Sequence, residues 1–134
     1  MKHFELEPGM LTLRGVFYPT GHLFLMFPTE ADARKAERAL EEKGHSGEHI
    51  SRLTPAEIAK LADAPGGAEW PLPSPGTELE TVRRFAELGR QGHHALLIHA
   101  PSQEETEHIM QVLKGHPISY GQKYRHLVIE DLVV

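Results

Sequence analysis

The chain has 134 residues, a formal charge of −5 with histidine neutral, ten histidines and no cysteine. A chain of this length fits one compact domain and buries roughly two-thirds of its unfolded surface. The lack of cysteine excludes disulfides, thiolate metal sites and a cysteine nucleophile, and the acidic balance disfavours nucleic-acid binding through a broad basic surface. The longest strongly apolar run, Leu23 to Phe27, is too short to span a bilayer, and the first residues hold no apolar stretch of signal-peptide length, so a cytoplasmic protein without a membrane partner is expected.

In chain order, Met10 to Phe27 reads as a hairpin, with Pro19-Thr20-Gly21 supplying turn chemistry. Its second strand, Leu23–Phe27, is apolar on both faces, as in a central strand covered on each side. Thr29 with Asp32 opens a helix that carries Ala33, Ala36 and Leu40 on one face and stops at Gly44. A short strand, His49–Leu53, follows. Thr54-Pro55-Ala56-Glu57 then starts a second helix with Ile58, Leu61 and Ala62 on its apolar edge. Residues 64–76 are rich in Pro and Gly around Trp70 and read as an irregular connector. Thr77-x-x-Glu80 opens a third helix with Leu79, Val82, Phe85, Ala86 and Gly89 facing a core. Strand Ala95–His99 leads to Ser102-x-x-Glu105 and a fourth helix, stopped by Gly115-His116-Pro117. Ile118 to Val133 should be extended, with a bend at Gly121–Lys123 and a last strand at His126–Glu130.

Two stretches repeat each other. His22 to Thr29 and Ala95 to Ser102 are both a strand, a Pro and a cap leading into a helix, and with Pro28 set on Pro101 the apolar positions fall in register. Two β-α-β units in one small chain predict an α+β ferredoxin-like sandwich, with an added N-terminal hairpin strand and two extra helices in the central connection. The halves are about 10–62 and 77–134. In that arrangement Leu23–Phe27 and Ala95–His99 are antiparallel neighbours. Leu23, Leu25 and Phe27 then share the helix face with Leu96, Ile98 and Ala100. The other face carries His22, Phe24, Met26, Leu97 and His99, and is covered by the extra helices, by another subunit or by a ligand.

From Pro-Thr-Glu-Ala-Asp-Ala through His49-Ile-Ser-Arg-Leu-Thr-Pro to Tyr120-Gly121 and Leu-Val-Ile-Glu-Asp-Leu132, the order of elements resembles bacterial general-stress-type ferredoxin-like domains over about residues 16–132. The resemblance implies that fold and a stress-related or regulatory role, and it assigns no catalytic residue.

No phosphate loop, dinucleotide fingerprint or nucleophile elbow is present. The expected function is therefore a non-catalytic module that forms a homodimer or binds a small ligand through His22, Phe24, Met26, Leu97, His99, Tyr120 and Tyr124, without a cofactor. One alternative is a histidine-based site for Zn, Ni or Cu with His22 and His99 as ligands. Another is an RNA-binding surface built from Tyr120, Lys123, Tyr124 and Arg125, which interleave cations and aromatics. Tyr18 joins Tyr120 and Tyr124 as a possible pocket lining or as rim tyrosines with wet hydroxyls. His45-Ser-Gly-Glu-His49 matches the inverted zinc-protease pattern, but Gly44 and Gly47 favour a polar loop over the helix that chemistry requires. His93-His94 reads as a solvated pair at a strand start, its members pointing to opposite faces.

Overall fold

The structure is a computed structural model that describes residues 2–3, 21–61, 78–125 and 128–132. The first hairpin strand, Tyr18, the connector at 64–76 with Trp70, and the cap expected at Thr77 lie outside the described residues. The elements are β1 (Lys2–His3), β2 (His22–Phe27), α1 (Glu30–Glu42), a 3-10 turn (Gly47–His49), β3 (Ile50–Leu53), α2 (Pro55–Leu61), α3 (Glu78–Arg90), β4 (His94–His99), α4 (Gln103–Val112), β5 (Tyr120–Arg125) and β6 (Val128–Asp131). The chain is thus an α+β protein.

Local chemistry sets the helix boundaries. The Thr29 hydroxyl accepts from the Asp32 amide at 3.1 Å and donates to the Asp32 carboxylate at 2.8 Å. Thr54 and Glu57 close a reciprocal capping box, at 3.0 Å from the Thr54 amide to Glu57 Oε1 and 3.2 Å from the Glu57 amide to Thr54 Oγ1. Ser102 and Glu105 begin α4 as Thr29 and Asp32 begin α1, the Ser102 hydroxyl accepting from the Glu105 amide at 3.1 Å and donating to its carboxylate at 2.9 Å. At the end of α1, Gly44 takes a φ of +96°, which lets the His45 and Gly44 amides donate back to the Leu40 and Glu41 carbonyls.

The six described strands lie in the order β1-β3-β4-β2-β5-β6. Among the described residues the β1–β3 pairing is parallel and the other four are antiparallel. β2 and β4 are neighbours over their whole length, from His22 opposite His99 to Phe27 opposite His94. Because β2 sits between β4 and β5, and β4 between β3 and β2, each helical crossover from β2 to β3 and from β4 to β5 skips one strand.

Both faces of the central strands are covered. Leu23, Leu25, Phe27, Leu96, Ile98 and Ala100 pack with Ala33, Ala36 and Leu40 of α1 and Ile109 of α4. Phe24, Met26, Leu53, Ala95 and Leu97 pack with Ile58 and Leu61 of α2 and Phe85 of α3. The Phe24 and Phe85 rings lie 4.5 Å apart between centroids, within the range in which aromatic pairs add to plain area burial.

One expectation is corrected at the edge of the sheet. The bend placed at Gly121–Lys123 does not occur: β5 runs straight through, with Gly121 opposite Leu25 and its carbonyl accepting from the Leu132 amide at 3.2 Å. Glycine marks bends in strands, but here the ladder on both sides holds it extended. β5 ends at Arg125 and the last strand spans Val128–Asp131; His126, where that strand was expected to begin, lies outside the described residues. β1, which no sequence signal marked, adds a two-residue edge beside β3.

Candidate functional site

Of the three expected covers for the second sheet face, the structure shows the extra helices: α2 and α3 close it. Phe24 and Met26 are fully buried and Leu97 is 2% exposed. These three residues, predicted as ligand contacts, are core. Tyr120 is half-buried against the same cluster. Among the described residues, the exposed side chains of this face lie at its end, where β2 and β3 begin and β4 finishes.

Strand register builds a row of histidines there. His22 is opposite His99, and Ile50 is opposite Ile98, so His49 enters beside His99 on the next strand. The His22 and His99 ring centroids are 4.9 Å apart, and those of His49 and His99 are 5.6 Å apart. His49 and His99 are exposed and His22 is half-buried. On the other side of His22, the register partner is Tyr124, whose backbone continues the row. One row inward lie Ser51, Leu97, Phe24 and Gln122, where Ser51 and Gln122 are buried polar groups beneath the imidazoles.

A second imidazole pair stands at the same end, on the α1 and α4 side. The His45 and His108 centroids are 5.0 Å apart. His45 follows α1, and its Nε2 is buried with no hydrogen-bond partner among the described residues. Burial holds the His45 pKa below the usual imidazole range; the positive form of His108 adds to this, Glu105 opposes it, and His49 contributes further in the same direction as His108. His45 and His49 are thus linked electrostatically, and among the described residues five histidines share one end of the molecule. The His45–His49 segment is not a zinc-protease helix: Gly47–His49 is a 3-10 turn capped by Ser46.

Among the described residues, no three or more His, Asp or Glu side chains are arranged to hold a metal ion as they stand. The pairs are nevertheless at ligand spacing. With a metal–nitrogen distance of about 2.0–2.1 Å, a tetrahedral angle of about 109° and roughly 1.2 Å from ring nitrogen to ring centre, two imidazoles on one ion have centroids about 5 Å apart. His22 with His99 meets that separation.

The alternative nucleic-acid surface loses its lysine. Lys123 is 3% exposed, and its ammonium donates to the Ser102 carbonyl at 3.2 Å and to the Thr106 hydroxyl. It ties β5 to the start of α4 and is out of reach of a phosphate backbone. The side chains of Tyr124 and Arg125 lie outside the described residues. His93 and His94 are not a solvated pair: both are half-buried, and His93 Nδ1 is 2.8 Å from the Ser119 hydroxyl.

No helix among the described residues is long and apolar enough to cross a membrane. Comparison with family models, with curated proteins and with solved structures gives no match for this chain.

The register that brings His49 to His99 had only a faint signal in the sequence: a histidine as the first residue of the predicted short strand His49–Leu53. The His45–His108 pair had none, because it joins a loop to a helix far along the chain.

Proposed function

We propose that the chain is a non-catalytic α+β binding module that takes up a divalent transition ion, Zn, Ni or Cu, at the histidine end of its sheet, with His22 and His99 as the first two ligands. The 4.9 Å separation of their rings, fixed by direct pairing of the two central strands, carries the reading. His49 supplies the third imidazole by rotation of an exposed side chain, a picosecond-to-nanosecond motion. A ligand set of neutral nitrogens suits all three metals. The reading needs no second subunit, since α2 and α3 already cover the apolar face.

The strand order β3-β4-β2-β5, with each crossover skipping one strand, supports a ferredoxin-like arrangement. The matched caps at Thr29 and Ser102 support its origin as a doubled β-α-β unit. A stress-related or regulatory setting in the cytoplasm goes with this reading through the residue pattern of residues 16–132.

The test is thermal denaturation of tag-free protein with Zn, Ni or Cu salts against a chelator control. An ion that binds only the folded chain raises stability by RT ln(1 + [L]/Kd), about 2.7 kcal/mol at one hundred times Kd. The midpoint should rise with metal, and the rise should vanish in His99→Ala while persisting in His116→Ala. No rise with any of the three ions, or an equal rise in His99→Ala, would overturn the proposal.

A further inference from the structure

A cavity of about 270 Å³ opens between α1 and β3, lined by Arg34, Glu37, Arg38 and Arg52. Arg34 and Arg38 are one helical turn apart on α1, and Arg52 rises from β3 on the face that holds Leu96 opposite it. Arg34 is paired with Glu30 at 2.5 Å, with both side chains about half exposed. Among the described residues, Arg38 and Arg52 have no ion-pair partner.

Among the described lining residues, the carboxylate of Glu37 does not balance them. Glu37 is engaged elsewhere: burial raises its pKa first, a hydrogen bond with Glu41 and the Glu41 charge raise it further, and Arg52 pulls only as a lesser opposing influence. The field of this arginine group reaches into the core edge. His94 is held below the ordinary imidazole range mainly by burial, and Arg52 and Arg34 both push the same way against Glu30. His94 Nδ1 is also buried without a hydrogen-bond partner among the described residues. With Arg34 paired to Glu30, the half-buried Arg52 and the exposed Arg38 face one cavity with like charge, an arrangement that favours an anion between them.

We propose that this cavity binds a small dianionic phosphate, either inorganic phosphate or a phosphate monoester, held by the guanidinium forks of Arg38 and Arg52 with Arg34 at the rim. The chemistry follows from shape and number. Guanidinium groups present paired donors in a fixed plane, and a carboxylate fills one such fork. A tetrahedral phosphate offers acceptor oxygens in several directions and can meet forks arriving from a helix on one side and a strand on the other. The volume is slightly below the roughly 300–1,000 Å³ of drug-sized sites, so the occupant is small. The site is separate from the histidine end and stands whether or not that end binds metal.

The experiment is calorimetric titration and thermal denaturation of the full chain with inorganic phosphate, with glycerol 3-phosphate and with succinate, against sodium chloride at matched ionic strength. At about ten times Kd, the thermal midpoint should rise by roughly 4–8 °C. Arg52→Gln should weaken binding at least tenfold, Arg38→Gln should weaken it several-fold, and the exposed Arg83→Gln on α3 should leave it unchanged. Tighter binding of glycerol 3-phosphate than of inorganic phosphate assigns a monoester, and the reverse assigns the free ion. Should Arg52→Gln fail to fold, Arg38→Gln on the exposed helix surface decides alone. A midpoint that follows chloride equally, a response to succinate but not to phosphate, or binding unchanged in Arg38→Gln would each overturn the proposal.

Discussion

Gly89→Ala tests whether α2 and α3 close the second sheet face as described. A Cβ at Gly89 would lie 2.9 Å from Ile58 Cγ2, 3.1 Å from Ile58 Cβ and 3.2 Å from the Pro55 carbonyl oxygen. None of these atoms is a flexible tip. Ile58 is fully buried between α2 and the sheet, and Pro55 O belongs to the first turn of α2. Forcing one methyl into such a contact costs about 1–3 kcal/mol. Replacing Gly by Ala in a helix interior returns up to about 1 kcal/mol, and less here, because Gly89 is next to the last residue of α3. The net expectation is a loss of about 1–2 kcal/mol. With a urea slope of about 1–3 kcal/mol/M, the midpoint of a urea titration followed by far-ultraviolet circular dichroism should fall by roughly 0.5–1 M at constant slope. Ile58→Ala should be less harmful in the Gly89→Ala background than alone, since it removes the atom that clashes. An alanine variant as stable as the parent, or more so, would show that the two helices do not meet at this distance, and the closed face would lose its main support.

Truncation of a ring beneath that cover should be severe: Phe24→Ala should cost about 3–5 kcal/mol, with the molar mass by light scattering unchanged; a change in mass with little change in stability would mean that the ring serves a subunit contact. Stability should also fall on mild acidification. His45 and His94 are both held below the unfolded imidazole value of about 6.5. The unfolded chain therefore takes up protons first as pH falls. Their contribution is complete above the unfolded value and is lost as pH drops below it towards the folded values. Urea midpoints measured from pH 7.5 to 5 should show this decline, and the double variant His45→Gln/His94→Gln should flatten it; an equal decline in that variant would refute the assignment.

Much of the architecture was legible because its signals are local. A hydroxyl followed three residues later by an acid marks the starts of α1, α2 and α4, and each pair makes the predicted hydrogen bonds. The two-sided apolar runs at Leu23–Phe27 and Ala95–His99 identified the central strands, and alternation along them correctly sorted the α1/α4 face from the other. What escaped depends on distant register. β1 is two residues long, shows no periodicity and takes its order from β3, far along the chain. Glycine at 121 has two meanings in a strand, and only the presence of β2 and of Leu132 decides between them. At the candidate site, the approach of His22 and His99 was readable from antiparallel pairing. The arrival of His49 required the β3–β4 register. The arginine cavity was hidden because Arg34 reads as half of an ordinary i, i+4 pair with Glu30, and its true neighbour Arg52 comes from another element.

The burial of β2 and β4 from above and below has an evolutionary consequence. In a strand with one wet side, tolerated replacements come and go with every second position. Here Leu23 through Phe27 and Ala95 through Ile98 all sit in the dry interior. A saturation scan across them should show an unbroken trough of intolerance, and drift in this lineage should be pushed outward to the histidine end and the α1 flank, where binding can be retuned without disturbing the fold.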